Sequence, residues 1–166
     1  MKEMSVLVSI HKPHTDNIFD SYKRVEWRTQ PMPEGKHYIY ECKNGGGIGK
    51  VIGEYTVCQV RKFDRVCEIP HSVVESGYVP KTFLLEYSGG KKPLYAHKLI
   101  SPKRYDKPRE LSEFFIPCHD DVKCEDCCYW HYENTPNGIT EFCMVHGNKP
   151  IKRPPQSWCY VEEVIK

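Results

Sequence analysis

Six of the nine cysteines of this 166-residue chain fall in its last 56 residues, and their spacing is that of metal ligands. Cys124-x-x-Cys127 is followed, after a 15-residue gap, by Cys143-x-x-His146. Each pair places two soft donors on one tight turn, so both can reach a single ion, and the gap is long enough for a hairpin. Asn137-Gly138 inside the gap is a turn signal for that hairpin. Zinc is the expected ion, with Cys124, Cys127 and Cys143 as ligands and His146 ahead of Cys159 as the fourth. Cys118, Cys128, His119 and His131 are also within chain reach, and the competing reading is a set of free or buried thiols. Four protein ligands leave no position for water, so the zinc is expected to be structural. The stretch has few aliphatic residues (Val122, Ile139 and Val145), and an ion would replace the core it lacks.

A second set of charged residues, Lys23-x-x-Glu26-x-Arg28, has a different chemistry. Val25 and Trp27 alternate with Glu26 and Arg28, the period of a strand with one apolar and one charged face. Such charges form either a surface ion pair, worth ~0–1 kcal/mol, or the lining of a polar cleft. Residues 1–110 carry a formal charge of +6 and residues 111–166 carry −4, so the net +2 hides a basic body and an acidic appendage. The basic clusters are Lys23/Arg24/Arg28, Arg61/Lys62/Arg65, Lys91/Lys92, Lys103/Arg104 and Lys107/Arg109. Tyr22, Trp27, Tyr38, Tyr40, Phe63 and Tyr105 lie among them, as a surface that stacks bases and holds phosphates requires. The alternative is that these aromatics are core. No Ser/His/Asp or Cys/His pairing stands out, and Cys42, Cys58 and Cys67, in or beside predicted strands, read as small buried hydrophobes. Gly45–Gly47 lacks the following Lys-Ser/Thr and helix of a phosphate loop and reads as a flexible turn.

The elements that must position these residues belong to one domain, residues 1–166, with a cysteine-rich insertion at 116–149. With 39% hydrophobic and 28% charged residues and a mean hydropathy of −0.62, the chain is expected to fold as a globular protein. Strands are predicted at Met4–Ile10, Val25–Arg28, Lys36–Cys42, Val51–Val60, Leu94–Ile100 and Ser157–Ile165. Short helices are predicted at His14–Tyr22, Ser72–Gly77 and Pro80–Tyr87, with a helical turn in the "ELSEFF" segment and loops at Thr29–Gly35 and Ser101–Arg109. Gly53 within a strand signals a bulge or a close backbone approach. The expected class is α+β, a small β-barrel with short flanking helices and a zinc-ribbon-like insertion. The odd cysteine count, the adjacent Cys127–Cys128 pair and an N-terminal apolar run too short for a leader or a membrane span predict reduced thiols in the cytoplasm.

The run Leu7–Arg28, "LVSIHKPHTDNIFDSYKRVEWR", resembles the opening of ASCH domains, which are PUA-like barrels. Their signature is a glycine, a lysine two residues later, a glutamate three after that and an arginine two later. Ser21 takes the glycine's place, whereas Lys23, Glu26 and Arg28 match. "YIYEC" and "VIGEYTV" resemble the next two strands. "RYDKPRELSEF" and "PPQSWCYVEE" resemble the end of phage- and Firmicutes-type members. The resemblance spans about residues 4–115 and 150–165 and leaves the insertion outside.

It implies a PUA-like barrel that binds nucleic acid, RNA first, as a reader or regulatory module. The implied ligand set is Lys23, Arg24, Glu26 and Arg28, with Tyr40 from the tyrosine-rich strand and Trp158 of the Pro154–Trp158 segment bordering the cleft. The cations would meet phosphate, and Glu26 would orient a cation or accept from a base edge. Some members are acetylcytidine amidohydrolases, with a lysine as nucleophile or base, a threonine three residues later and a more distant glutamate. Lys23 matches that lysine, but Glu26 stands at the threonine, and only Glu54 and Glu86 offer a distant carboxylate. A carboxylate three residues on holds a lysine as a cation, which opposes a neutral nucleophilic amine. The enzyme reading, with Lys23 and Glu26 as its candidate residues, is therefore second. A protein-interaction module using the acidic insertion is third.

Overall fold

The structure, a computed structural model, describes residues 5–117, 130–136, 138–143 and 150–163. Strand β1 (Ser5–Ile10) is central: it pairs in parallel with β3 (Gly35–Glu41) and antiparallel with β9 (Trp158–Glu163). Val6, Val8 and Ile10 enter one core cluster and Leu7 another, so both faces are buried, which explains its unbroken apolar run. β3 continues into β4 (Val51–Phe63), and β4 into β5 (Leu94–Arg109), both antiparallel. β2 (Val25–Arg28) flanks β5 at one edge and β6 (Phe114–Phe115) flanks β9 at the other. The order is β2-β5-β4-β3-β1-β9-β6. The fold is α+β, built on a seven-stranded sheet, and its two edge strands are not joined by a ladder among the described residues.

Three short helices position the site: α1 (His14–Phe19) between β1 and β2, and α2 (His71–Ser76) and α3 (Lys81–Ser88) between β4 and β5. Val25 and Trp27 pack with Phe63, Val74, Leu84 and Leu94 beneath α2 and α3. That apolar face leaves Glu26 and Arg28 on the opposite side, as the alternation predicts.

The predicted loop Ser101–Arg109 is strand instead. β5 runs for 16 residues, and its second half pairs with β4 through register shifts, with Gly53 opposite Arg104. β2 covers β5 only from Tyr95 to Lys98, so beyond that point one edge is unpaired by β2 and Pro102 and Pro108 can be accommodated there. Gly53 is a point of close approach: a Cβ there would lie 2.4 Å from the Lys103 carbonyl oxygen and 2.5 Å from the Phe19 ring.

Trp27, Tyr38, Tyr40 and Phe63 are buried in the core and offer no open stacking surface. Cys58 and Cys67 are exposed and Cys42 is half-buried, contrary to the expectation of three buried thiols. In β4 the two-residue period turns Val57 inward and Cys58 outward. β7 (Trp130–Thr135) and β8 (Gly138–Cys143) form a separate antiparallel hairpin in the insertion, in which Gly138 has a φ of 121°. No helix among the described residues is long and apolar enough to cross a membrane.

Candidate functional site

The chain leaves α1 through a tight reversal. Ser21 has φ 63°, the left-handed region that favours glycine, and it stands where the ASCH pattern has glycine. The amides of Tyr22 and Lys23 both donate to the Asn17 carbonyl, at 2.9 Å each, which turns the chain directly into β2. Arg24 N–H then donates to Ser76 O (2.7 Å) and Leu99 N–H to Arg24 O (2.9 Å), locking this junction to α2 and β5. His97 on β5 pins Glu26. Met32 N–H donates to its Nε2 (2.9 Å), so Nδ1 carries the proton and donates to Glu26 O (3.1 Å).

This backbone presents a buried charged row. Lys23 is 3% exposed and Glu26 7%. Lys23 Nζ lies 3.3 Å from Glu26 Oε2, and Arg28 Nη2 lies 3.0 Å from Glu26 Oε1. Lys23 also donates to Gly77 O (2.8 Å); a Cβ on Gly77 would lie 2.1 Å from Trp27 Nε1, so a glycine permits this approach. Arg28 donates to Ser9 O (2.9 Å) and Ser157 Oγ (3.2 Å), tying β2 to β1 and to the segment before β9. Burial alone would push the Glu26 carboxyl up. Lys23 and Arg28, aided by His14 and the hydrogen bond from Lys23, outweigh it and hold the pKa below the usual 4.5.

These three residues line a cleft of about 280 Å³. His14, at the start of α1, forms another part of the wall. Burial first, then Lys23, lowers its pKa, so the imidazole is neutral at pH 7. Phe83 and Tyr87, one helical turn apart on α3, stack at 5.8 Å and complete the cleft with Val79. His14, Trp27 and Arg28 each carry a buried nitrogen without a hydrogen-bond partner among the described residues: Nδ1, Nε1 and Nε respectively. A second cavity of about 790 Å³ adjoins the first, and Ser9, His11, Cys42 and Gln156 line both.

Lys23, Glu26 and Arg28 are thus brought together, with Gln156 of the Pro154–Trp158 segment at the border. The other expected ligands are placed elsewhere. Arg24 is exposed, with Nε donating to Ser21 O at 3.3 Å. Tyr40 is buried and lines the second cavity. Trp158 packs edge-on to Tyr160 against the core and lines neither cavity. Several basic clusters are engaged locally: Lys62 with Asp64, Arg65 with Glu68, Arg104 with Asp16 and Arg109 with Glu113. His14, Phe83 and Tyr87 carry no motif in the sequence that marks them as site residues. An available signal was the four-residue spacing of two aromatics on a helix whose Leu84 and Ser88 face inward.

Cys124, Cys127 and His146 lie outside the described residues, as does the side chain of Cys143. Cys159 is described: it packs in β9 beside the cluster of Leu7, Tyr38 and Phe114, and burial pushes its thiol up to about 11.

No protein-family model matches the sequence, and a comparison with curated proteins finds no match. Solved structures do match. The ASCH protein from Zymomonas mobilis aligns with a TM-score of 0.63 at 16% identity, covering 95% of this chain and 87% of that one. A serine-to-alanine variant of it gives 0.64 at 14% identity, with 95% and 88% covered. A tyrosine-to-phenylalanine variant gives 0.57 at 17%, with 66% and 77% covered. The chain has the fold of these ASCH proteins.

Two outcomes follow from the geometry. Ser21→Gly should raise unfolding stability by about 0.5–1 kcal/mol, because glycine relieves the left-handed strain; a loss in urea melts would contradict this account. Glu26→Gln leaves two buried cations without their carboxylate and should cost about 3 kcal/mol near neutral pH. Since the folded carboxyl has a lowered pKa, its stabilisation is complete above the unfolded value and is lost as pH falls through the folded one. The gap between wild type and Glu26→Gln should therefore shrink on acidification below about pH 4.5, and a gap unchanged between acid and neutral melts would refute the assignment.

Proposed function

We propose that this chain is an ASCH-family, PUA-like protein that binds nucleic acid, RNA in particular, in the cleft between β2, α1 and α3. The observation that carries this reading is the buried row Lys23–Glu26–Arg28, in which two cations share one carboxylate. The row keeps one positive charge in excess within a half-enclosed site, where water screens it weakly. An anion is the complementary ligand, and the Phe83 and Tyr87 wall adds a contact for a flat ring. Anion and ring together describe a nucleotide. The neutral His14, with Nδ1 unpartnered, offers a hydrogen bond to a base or sugar.

The amidohydrolase reading finds less support. Lys23 Nζ donates to both Glu26 and Gly77 O, the geometry of a positioning cation rather than of a lone pair aimed at a carbonyl carbon. Glu54 is held by Lys36 (3.2 Å) and by the Tyr105 hydroxyl, and neither Glu54 nor Glu86 lines the cleft.

For the insertion we propose structural zinc at Cys124, Cys127, Cys143 and His146. The register supports it: Cys143 pairs with Trp130, so Cys143 stands at the open end of the β7–β8 hairpin, across from a residue three positions after Cys127. Cys159, packed into the main sheet, is the less suitable fourth ligand.

Fluorescence anisotropy with RNA and single-stranded DNA at about 50 and 200 mM salt should show binding that weakens with salt. Phe83→Ala with Tyr87→Ala should cost about tenfold or more in affinity, since a base loses its stacking wall. No binding at low salt would remove the proposal, and acetate release from acetylated cytidine that disappears in Lys23→Ala would move the conclusion to the hydrolase. Metal analysis of protein purified without chelator should find about one zinc per chain, lost in Cys124→Ser with Cys127→Ser. Zinc well below that ratio in the unmodified chain would reject the metal site.

A further inference from the structure

The cleft opens into a longer groove. Ser9, His11, Cys42 and Gln156 face both the 280 Å³ cleft and the 790 Å³ cavity beside it, so the two share one wall. The smaller end has the aromatic pair and the buried charged row. The larger end is rimmed by Lys43, on the loop after β3, and Lys152, on the segment before β9. Both lysines are exposed, and neither has an ion-pair partner among the described residues. The one carboxylate lining this cavity among the described residues, Glu110, is engaged by Lys50. Among the described residues its rim is therefore positive, and it is several times too large for a single ion.

Both sides of the groove are held in place. On the loop side, the buried Glu41 carboxylate accepts from Thr15 Oγ1 (2.7 Å) and from Ile48 N–H (3.0 Å), and His11 Nδ1 donates to Asn44 O (3.1 Å). On the other side, Ser9 Oγ donates to Pro155 O (2.6 Å) and Arg28 to Ser157 Oγ. A groove with fixed walls, an aromatic and cationic pocket at one end and exposed lysines farther along suits a chain with regularly spaced anions and flat rings.

We propose that the groove takes a single-stranded oligonucleotide rather than a lone nucleotide. One nucleotide occupies the Lys23–Glu26–Arg28 cleft, and the backbone phosphate of a neighbouring one lies between Lys43 and Lys152. The proposal rests on the nucleic-acid reading of the cleft and extends it to a second subsite. A mononucleotide leaves Lys43 and Lys152 unused, whereas a strand engages both ends at once, so affinity rises with length.

The test is calorimetric binding of a ribonucleoside monophosphate and an RNA tetranucleotide at two salt concentrations. The tetranucleotide should bind about tenfold tighter or more. Lys43→Ala with Lys152→Ala should pull that ratio toward one. It should also flatten the dependence of log affinity on log salt by about 0.7, the value for one phosphate contact on a single strand. Lys91→Ala with Lys92→Ala, on the turn after α3, should leave the ratio as it is. Equal affinities for the two ligands, or a ratio untouched by the Lys43/Lys152 substitutions, overturn the second subsite while leaving the cleft's reading intact. Failure of both ligands to bind overturns the two together.

Discussion

One carboxylate holds the site together. Glu26 is buried between Lys23 and Arg28, and each of those cations also reaches a different part of the chain: Lys23 the end of α2 through Gly77 O, Arg28 both β1 through Ser9 O and the segment before β9 through Ser157 Oγ. Removing a cation from water costs several kcal/mol unless charge and hydrogen bonds replace the lost hydration. Here a single anion serves two cations, and backbone carbonyls and a hydroxyl supply the remaining acceptors. The geometry of β2, α2 and the 154–157 segment is therefore coupled to the ionisation of one side chain.

That arrangement also constrains what the cleft can accept. Two positive charges against one negative leave an excess that the protein itself does not neutralise within the row, and His14 in the cleft wall is kept neutral by burial and by Lys23. A second carboxylate there would complete the neutralisation and leave no reason for an anion to enter. Glu54 and Glu86, the distant carboxylates a hydrolase would draw on, stay outside the cleft. The aromatic side of the cleft follows from the same packing: α3 buries Leu84 and Ser88, which turns Phe83 and Tyr87 toward the charged row and leaves them 38% and 40% exposed.

Much of this was legible in the sequence because it is local. The alternation of Val25 and Trp27 with Glu26 and Arg28 determines which face is charged without any knowledge of what covers it. The match of Lys23, Glu26 and Arg28 to the ASCH pattern pointed to the fold, and the φ of Ser21 shows why that pattern has glycine there. What depended on distant contacts was not legible. Nothing near Phe83 or Tyr87 in the chain says that α3 will lie against β2. Pro102 and Pro108 read as loop because a proline-rich, charged stretch gives no hint that β2 ends early and leaves that half of β5 at an edge. Residue type also misled where period decided: Cys58 is a good core residue in general but falls on the outward beat of β4, next to the buried Val57.

The two buried carboxylates, Glu26 and Glu41, solve the same problem by opposite means, and the contrast explains the shape of the whole groove. Glu41 is satisfied by neutral donors, the Thr15 hydroxyl and the Ile48 amide, so its side chain fixes the 43–50 loop without an ion pair among the described residues. Lys43 is thereby left without an ion-pair partner among the described residues. Glu26 is satisfied by cations, which fixes the other wall and leaves a surplus of positive charge at the opposite end. Had Glu41 been paired with Lys43, the loop would be held equally well, but the wider cavity would lose half of the positive rim that suits it to a polyanion. The choice of partner for a carboxylate that never touches the groove thus determines how far along the groove the attraction for a polyanion extends.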